Sequence, residues 1–394
     1  MSKLEKLIKE LCPDGVEYRK IKNVFQRLRG TPITAAKMKE IENTNGEIRI
    51  FAGGKTIINA KEKDIPNANI TRVPAVLVQS RGIIDVVYYE KPFTFKNEMW
   101  AYTTNNKITV KFLYYVLKNN ILKFRESASG MGSLPQISLS VTEDFSIPVP
   151  PLPVQEEIVR ILDTFTELTK ELTKELTKRH RQYEYYRDAL LTRETKAERK
   201  KLGDVCQKTE NIDWKKNKGK YQYIDLTSVD RETHAILETA AINSSNAPSR
   251  ARQIVKENDV LFGTTRPMLK RTAFVTKEFD NQICSTGYCV LRANTSTVLP
   301  RYIYHQICSQ MFYQYVELHQ KGASYPAISD ADVKDFEIPL PPLDVQERLV
   351  RVLDNFDSIC SDLKIGLPAE IEARKKQYEH YRDKLLAFRE KNPA

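Results

Sequence analysis

Long apolar stretches are missing from this sequence. Its longer hydrophobic runs, such as Phe112–Leu117, are far shorter than the roughly 18 residues of a membrane-spanning helix. Glycine is scarce as well, with 14 residues among 394 and no regular spacing, which excludes a collagen-like chain. Hydrophobic residues still make up 41% of the sequence, enough to build folded cores. The length then predicts two or three globular domains.

Cysteine is also rare, with six residues that form no even framework of pairs. Cys284 and Cys289 lack the second pair that a zinc site of this type needs, and His305 and Cys308 have no evident partners. We therefore expect reduced, buried thiols and no metal. The first twelve residues alternate Lys and Glu with Leu and Ile, which predicts an amphipathic helix rather than a secretion signal. These features favour a cytoplasmic protein.

Motifs for catalysis are missing too. The sequence has no glycine-rich Walker loop. It has no Asn/Asp-Pro-Pro-aromatic motif of an adenine methyltransferase either, since the Pro-Pro pairs ending at Pro151 and Pro342 are followed by Leu. Gly130 and Gly132 form a lone GxG, more typical of a turn or a DNA-facing loop than of a cofactor site. We predict that this chain is non-catalytic and binds no cofactor itself.

Positive charge is in excess, with a net charge of +11. Residues 1–154 hold 23 Lys and Arg against 15 Asp and Glu, whereas residues 201–345 hold 18 against 17. A basic surface favours a polyanionic partner but does not identify one. Charge alone therefore points to nucleic acid only for the first part of the chain.

The sequence also repeats itself. Residues 144–165, DFSIPVPPLPVQEEIVRILDTF, return 191 positions later at 335–356 as DFEIPLPPLDVQERLVRVLDNF. Residues 181–191, RQYEYYRDALL, return 195 positions later at 376–386 as KQYEHYRDKLL. A period of this length is too long for a solenoid and indicates two copies of a domain followed by a helix. Because the copies have similar ends and different middles, we predict one scaffold with two different binding surfaces.

The repeat predicts four segments. Two α/β globules, at 1–153 and 196–343, contain short strand-like runs and a helical stretch, and each ends in a Pro-rich arm. Each arm leads into a helix, at 154–195 and 344–394, in which apolar residues recur every three or four positions. The second helix should break near Gly366–Pro368, where Gly and Pro interrupt the pattern.

The first predicted helix holds the tetrapeptide Glu-Leu-Thr-Lys three times, in residues 167–178. The simplest interpretation is a solvated rod with one buried Leu stripe, stabilised by Glu–Lys pairs. The 38 residues from Gln155 to Thr192 would extend about 57 Å, well over one turn of B-DNA at about 34–36 Å. Two such rods, packed antiparallel through their stripes, would hold the globules a fixed distance apart.

Two variable globules, each followed by Pro-Pro-Leu-x-x-Gln, a long helix and Gln-Tyr-Glu-x-Tyr-Arg-Asp-x-Leu-Leu, resemble the specificity (S) subunit of type I restriction–modification enzymes. The resemblance covers nearly the whole chain, and the helical arms carry it more specifically than the globules. It implies an α/β fold with two similar target recognition domains, each for one half of a split, asymmetric DNA sequence. It also implies that the two long helices form an antiparallel coiled coil, which gives the internal repeat a pseudo-two-fold symmetry.

The resemblance also implies partners. The helices would dock two modification (M) subunits, which use S-adenosylmethionine to methylate adenine N6. Restriction (R) subunits would add ATP- and Mg-dependent translocation and cleavage. This chain would bind double-stranded DNA as the non-catalytic specificity subunit.

Candidate DNA contacts combine Lys and Arg for phosphates with polar side chains for base edges. In a turn after a strand, Gln79 would pair with adenine and Arg81 with guanine. The loops 127–135 and 321–326 occupy matching places in the two copies. Solvation alone explains any one exposed Lys or Arg equally well. The predicted set is Lys55, Gln79, Ser80, Arg81, Lys215, Lys216, Lys218, Arg250, Arg252, Thr264, Thr265, Arg266, Lys270 and Arg271.

Apolar and aromatic residues of the two arms form the predicted coiled-coil set. Aromatic stripes are normally core, so two explanations stay open: packing inside the coil, or direct contact with a modification subunit. The set is Phe165, Leu168, Leu172, Leu176, Tyr183, Tyr186, Leu190, Phe356, Leu363, Tyr378, Tyr381 and Leu385.

Two other functions are compatible with the sequence. The first is a coiled-coil scaffold whose two globules bind peptide or RNA; it would show no salt-dependent binding to a split DNA site. The second is a self-sufficient restriction enzyme, against which the missing cofactor motifs argue.

Overall fold

The computed structural model describes residues 2–54, 56–130, 134–193, 197–361 and 366–391. No helix in these ranges is long and apolar enough to cross a membrane. The α-helices are α1 Lys3–Leu11, α2 Ile21–Val24, α3 Ala35–Ile41, α4 Lys107–Asn119, α5 Ile121–Glu126, α6 Leu139–Glu143, α7 Leu152–Arg193, α8 Leu202–Val205, α9 Pro300–Ile307, α10 Gln310–His319, α11 Asp330–Lys334, α12 Leu343–Ser361 and α13 Leu367–Leu386.

The strands are short, and each has between two and six residues. The strands are β1 Tyr18–Lys20, β2 Gln26–Leu28, β3 Ile48–Phe51, β4 Ile57–Ala60, β5 Ala75–Gln79, β6 Asp85–Tyr89, β7 Phe93–Phe95, β8 Trp100–Thr103, β9 Ser146–Pro148, β10 Arg199–Lys201, β11 Cys206–Gln207, β12 Glu210–Asn211, β13 Tyr221–Ile224, β14 Ala240–Ile242, β15 Ala251–Ile254, β16 Val260–Gly263, β17 Thr272–Phe274, β18 Ile283–Ser285, β19 Tyr288–Ala293 and β20 Glu337–Pro339.

The chain forms two compact units, which we call module 1 and module 2. Module 1 comprises Met1–Thr169 and Arg374–Ala394, and module 2 comprises Lys170–Ala373. Helix α7 contributes its first part to module 1 and its last part to module 2, and most of α13 belongs to module 1. Module 2 is thus one continuous segment, whereas module 1 is assembled from both ends of the chain.

Module 1 is built in layers around the fully buried strand β5. Its first sheet has the order β2-β8-β5-β6 and its second the order β4-β3-β7. Because side chains alternate across a strand, Val76 and Val78 of β5 pack in one core with α4, while Ala75 and Leu77 pack with Phe93 of the second sheet. A strand buried on both faces needs an unbroken apolar run, which Ala-Val-Leu-Val supplies.

Module 2 repeats this plan with additions. Its first sheet has the equivalent order β11-β19-β16-β17, and its second has the order β12-β15-β18-β13-β14. Val260 and Phe262 of β16 join the core with α9 and α10, while Leu261 packs with Ile224 of the second sheet. In both modules one parallel pair sits in the second sheet, β3 with β7 and β13 with β18. The prediction of two similar α/β globules is confirmed.

The predicted helical stretches in the globules each divide into two helices. In module 1, α4 ends at Asn119 and α5 begins at Ile121. In module 2, the Ser309 side chain accepts a hydrogen bond from the Phe312 backbone N–H at 3.2 Å and so starts a new helix, α10. A serine between two apolar periodic runs is a helix start that periodicity alone does not show.

The repeated Gln of the Pro-rich arms holds the start of each long helix. The buried side-chain Nε2 of Gln155 donates to the Pro150 carbonyl at 2.7 Å, and that of Gln346 donates to the Pro341 carbonyl at 2.8 Å. Pro150 and Pro341 precede the first helical residues, Leu152 and Leu343, and the glutamine side chain supplies a donor to each of these proline carbonyls. The Pro-Pro-Leu-x-x-Gln motif is therefore a device that joins globule to helix.

Each module pairs a part of α7 with a helix of the C-terminal arm. In module 1 the rings of Phe165 and Tyr381 stack with centroids 5.6 Å apart, and in module 2 those of Tyr186 and Phe356 stack at 5.6 Å. The early part of α7 thus meets α13 and its late part meets α12, the reversed order expected of antiparallel helices. The two pairs use equivalent residues of the repeat, so the antiparallel pairing predicted for the long helices is present within each module.

The predicted coiled-coil residues differ in burial. Tyr183 is buried and contacts His305, whereas Leu168, Tyr186 and Tyr381 remain 42%, 40% and 39% exposed. Leu363 lies outside the described residues. The remaining members are partly buried: Phe165, Leu172, Leu176, Leu190, Phe356, Tyr378 and Leu385.

Candidate nucleic-acid interface

In module 1 the turn that follows β5 is bonded to a distant loop. The Gly82 backbone N–H donates to the Pro135 carbonyl at 2.9 Å, and the Ile137 N–H donates to the Ser80 carbonyl at 2.9 Å. Ser129 and Gln136 close the loop by exchanging backbone hydrogen bonds of 2.9 and 3.0 Å. We call turn 79–82 with loop 127–137 the turn–loop pair of module 1. The pairing holds two surface segments in a fixed arrangement.

Module 2 has the same construction after β16. The Arg266 N–H donates to the Pro326 carbonyl at 2.7 Å, and the Ile328 N–H donates to the Thr264 carbonyl at 3.0 Å. Lys321 and Ala327 exchange backbone hydrogen bonds of 2.7 and 2.9 Å. Turn 263–266 with loop 321–328 is the turn–loop pair of module 2. Its bonds match those of module 1 one for one, so the predicted correspondence of these turns and loops holds in three dimensions.

One backbone position in the two turns has left-handed torsion angles. Gly82 has φ +74°, which glycine adopts freely. Its counterpart Arg266 has φ 49° and ψ 59°, and Lys270 four residues later has φ 55° and ψ 39°. A side chain in this region costs about 1–2 kcal/mol. Strain of this kind is concentrated at functional sites.

Three residues of the predicted DNA-contact set are buried in the modules. Gln79 is buried and donates through Nε2 to the Gly54 carbonyl at 3.1 Å. Ser80 is fully buried and donates to the Glu98 carbonyl, and the Thr264 hydroxyl donates to the Gly287 carbonyl at 2.9 Å. These hydrogen bonds help to hold the turns in place, and little of each side chain is exposed. The candidate set at the turns therefore narrows to residues that reach the surface.

Arg81, Arg266 and Lys270 are exposed, and Thr265 is partly exposed. The Lys270 Nζ lies 5.1 Å from the centroid of the Tyr313 ring, a cation–π contact. Arg271 is only partly exposed, and its buried Nε has no hydrogen-bond partner within the described residues. Lys55 falls outside those residues, as does part of loop 127–137.

A second basic patch lies on the other sheet of module 2. The Trp214 Nε1–H donates to the Ala251 carbonyl at 2.7 Å, which brings the Lys run beside the two predicted arginines. Among the described hydrogen bonds, none joins this patch to the turn–loop pair of module 2. The two are linked through one further segment, because the Thr286 N–H donates to the Arg250 carbonyl at 2.9 Å and the adjacent Gly287 carbonyl accepts from the Thr264 N–H at 2.8 Å. The exposed members of this patch are Lys215, Lys216, Lys218, Arg250 and Arg252.

The candidate set lacked two exposed apolar side chains. Leu134 is 52% exposed in the loop of module 1, and Tyr325 is 70% exposed at the equivalent place in module 2. The Arg266 guanidinium lies 4.3 Å from the centroid of the Tyr325 ring. The signal for both residues was in the sequence, since 133–137 reads SLPQI and 324–328 reads SYPAI at the same offset of 191. Single exposed apolar side chains are common on protein surfaces, so it is their equivalent position beside the two turns that makes Leu134 and Tyr325 candidates.

An aspartate at an equivalent position of the repeat links each long helix to its globule. In module 1, Asp163 accepts from Lys111 Nζ at 2.7 Å and from the Tyr115 hydroxyl. In module 2, Asp354 is 2.6 Å from an Arg301 nitrogen and 2.7 Å from His305 Nε2. The two ties occupy equivalent positions of the repeat and use different partners.

The aspartate contact in module 2 includes His305, whose pKa is shifted from its usual value. Burial lowers the pKa of His305, and the hydrogen bond that its ring donates to Asp354 opposes this change. Burial disfavours the charged form of Asp354 as well, but hydrogen bonds from His305 and Arg301 lower its pKa overall. The His305 Nδ1 lies 3.1 Å from the Tyr183 hydroxyl. The neutral ring is thereby held between α7 and α12 in a defined orientation.

The thiols offer no evident chemistry. Burial raises the pKa of Cys206 and of Cys308 to about 12 each, and it raises that of Cys284 as well. A thiol in such surroundings is an inert core side chain. In the ranges that the structure describes, no three His, Cys, Asp or Glu side chains are grouped so that they could hold a metal.

Comparisons with known proteins agree with this architecture. A family model described as the type I restriction modification DNA specificity domain matches residues 13–179 and again 194–373. The specificity subunit of the type I restriction enzyme EcoR124I/EcoR124II of Escherichia coli is 32% identical over 304 residues, 72% of each chain. A putative type I restriction enzyme specificity subunit of Haemophilus influenzae is 28% identical over 312 residues, 75% of this chain and 77% of the relative.

A solved structure shows the same fold. The crystal structure of the S subunit of a type I restriction-modification system from M. genitalium aligns over 94% of this chain and 96% of its own, with TM-score 0.57 and 14% identity. The two domain matches coincide with the two halves of the internal repeat. The chain therefore belongs to the family of type I restriction modification DNA specificity domains and carries two copies of that domain.

Proposed function

We propose that this chain is the sequence-specific DNA-recognition subunit of a type I restriction–modification complex, in which each module reads one half of a bipartite, asymmetric target. The observation that carries the proposal is the turn–loop pair, which is bonded identically in both modules but displays different side chains. Two unlike half-sites require modules with the same backbone arrangement and different exposed side chains. The family match supports this function and gives no support to a scaffold for peptides or RNA.

The exposed side chains of the two modules are of the types that contact double-stranded DNA. Arg81 in module 1 and Arg266 in module 2 lie at equivalent strand ends, and arginine contacts guanine with two hydrogen bonds in the major groove. The Lys-rich patch of module 2 supplies charge for phosphates, which position the protein without reading sequence. The excess of positive charge in residues 1–154 would do the same for module 1.

The length of the long helices is compatible with a stretch of unread base pairs between the half-sites. Helix α7 runs without interruption for 42 residues, about 63 Å. One turn of B-DNA is about 34–36 Å. We propose that the length of the paired helices sets the number of unread base pairs between the two half-sites.

The proposed complex also contains partner subunits. We propose that the chain acts in the cytoplasm, that the helices dock two modification subunits, and that S-adenosylmethionine, ATP and Mg are bound by the partners. Tyr185 is 70% exposed beside Tyr186 in the repeated Tyr motif, so the motif is available for a partner in addition to its packing role. This chain would itself contribute recognition and no catalytic group.

A selection experiment tests the function. The chain is affinity-tagged in its own cells, isolated with the subunits that accompany it, and mixed with duplex DNA containing a long randomised segment. We expect sequencing of the bound fraction to return two unlike half-sites at one fixed spacing. Binding should weaken steeply with added salt, because each phosphate contact releases counterions. Recovery of a palindrome, or of no enriched sequence, would refute the proposal.

A further inference from the structure

The turn of module 2 contains an arginine where the backbone favours glycine. Arg266 and Gly82 make the same hydrogen bond to a proline carbonyl, at 2.7 and 2.9 Å, and both have left-handed torsion angles. Gly82 shows that the turn closes without any side chain at this position. The backbone therefore gives no reason for arginine at position 266, and its side chain must supply one.

That side chain lies against an exposed ring. The guanidinium of Arg266 is 4.3 Å from the centroid of Tyr325, and Tyr325 is 70% exposed. A guanidinium held over an aromatic ring by a cation–π contact favours one placement of the side chain and keeps its N–H donors available. In module 1 the equivalent loop residue is Leu134, and Gly82 has no side chain to orient. The arginine–aromatic pair is therefore specific to module 2.

The positive charge of Arg266 is also not neutralised by a carboxylate of the described residues. No acidic side chain among the described residues forms an ion pair with it, in contrast to two other arginines of module 2. Arg292 is 2.7 Å from Asp259, and Arg301 is 2.9 Å from Asp357. An exposed, oriented and unpaired guanidinium at the end of a strand is prepared for an external acceptor.

We propose that Arg266 reads one guanine in the half-site of module 2 and that Tyr325 is its positioning residue. The inference rests on the proposed function and makes it more specific. A guanidinium fits the O6 and N7 acceptors of guanine with two parallel hydrogen bonds, whereas adenine offers N7 beside an amino donor. Because the Tyr325 ring fixes the plane of the guanidinium, only a base in one position of the half-site meets both donors. The left-handed backbone at Arg266 is the cost of that placement.

The test uses the tagged complex and the randomised duplex library, with the chain carrying Arg266→Gly. This substitution copies the residue of module 1 at the same left-handed position, so the turn is expected to close as it does there. We expect the preference for guanine at one position of one half-site to fall about 5- to 150-fold, as for loss of a bidentate contact. The half-site of module 1 should stay unchanged, which serves as the internal control.

Two variants test the role of the ring. Tyr325→Ala should reduce the preference at the same position, while Tyr325→Phe, which keeps the ring, should retain it. A residue needed only for the fold would instead weaken binding to all sequences equally. If Arg266→Gly leaves the guanine preference intact, or if Tyr325→Ala lowers binding uniformly, the inference is wrong while the wild-type split site still supports the proposed function. If the wild-type complex selects no split site, the proposed function itself has failed.

Discussion

Single residues show how far the two copies have diverged while keeping a common task. The aspartate that ties each long helix to its globule receives Lys111 and Tyr115 in module 1, and Arg301 and His305 in module 2. The geometry of the tie is retained, but its titration behaviour is not, because histidine changes charge near neutral pH and tyrosine does not. Module 2 should therefore respond to mild acid in a way that module 1 does not.

The first prediction concerns this pH response. Burial holds the pKa of His305 below its unfolded value, which is about 6.5. The unfolded state then binds the proton more readily, so the stability of module 2 is fully present above about pH 6.5 and declines as the pH falls below it. His305→Tyr, which copies Tyr115, should weaken this decline. Burial also lowers the pKa of His234, so part of the decline should remain.

Hydrogen exchange of module 2 amides between pH 5.5 and 7.5 measures the effect, after correction for the intrinsic exchange rates. The environment of His305 comprises Tyr183, Asp354, Arg301 and the nearby charge of Asp357, and the substitution leaves all of them in place. Equal pH dependence in the wild-type and His305→Tyr chains would show that this ring does not carry the response.

The second prediction concerns Arg81. Its exposed guanidinium extends from the turn of module 1, so Arg81→Ala should relax recognition at one base pair of one half-site by about 1–3 kcal/mol. Selection from the randomised library measures the change. Arg72→Ala is a matched control, because Arg72 is an exposed arginine of the same module paired with Glu62 at 2.6 Å. A uniform loss of affinity for all sequences would instead identify Arg81 as a phosphate contact.

The limits of sequence-based prediction are clear at this scale. The place of the turns after β5 and β16 in the repeat predicted that they are equivalent sites in the two modules. It did not predict that Gln79 and Thr264 are buried. Their hydrogen bonds go to carbonyls of Gly54 and Gly287, which are distant in sequence and have no pattern linking them. The left-handed torsion angles of Arg266 could not be predicted either, since a sequence indicates a left-handed position reliably only where glycine occupies it.

At the scale of elements, the long helices were predicted more accurately than the globules. The three-to-four periodicity and the Pro-rich arm predict a helix over 154–195, and α7 runs from Leu152 to Arg193, because a long amphipathic helix is a local pattern. In the globules, the strands β5 and β16 are buried on both faces and correspond to short apolar runs in the sequence. The pairing of these strands depends on long-range contacts, and no local signal specifies it.

The third prediction concerns the length of α7. Deleting one tetrapeptide, Glu171–Lys174, shortens the helix by about 6 Å and turns it by about 40°. Since base pairs are about 3.4 Å apart, the preferred spacer should shorten by one or two base pairs while both half-sites stay the same. Methylome sequencing of cells with the variant measures the spacer. An unchanged spacer would show that the helix does not set it.

On the scale of the whole molecule, module 1 is closed by the end of the chain. The Val16 N–H donates to the Arg389 carbonyl at 2.9 Å, and the Lys391 N–H donates to the Val16 carbonyl at 2.9 Å. The Tyr18 hydroxyl donates to the Phe388 carbonyl at 3.1 Å. The last described residues are therefore part of the first module of the sequence, and a substitution there acts on module 1.

The fourth prediction uses this closure. A chain that ends at Leu386 should expose Val16 and Tyr18, and hydrogen exchange should accelerate in β1 and β9 of module 1. The equivalent strands β10 and β20 of module 2 should keep their protection. A chain that ends at Lys391 retains the three hydrogen bonds and serves as the control. Faster exchange in module 2 alone would contradict this assignment.

The split composition of module 1 also has a consequence for biosynthesis. Module 2 is a single continuous segment, so all of its residues are available as soon as Ala373 has left the ribosome. Module 1 is translated first, yet it must wait for the α13 residues and the final strand-like segment, which are made last. Translation thus reverses the order of the two modules, and a ribosome that stops early releases a chain with one finished module and one left open.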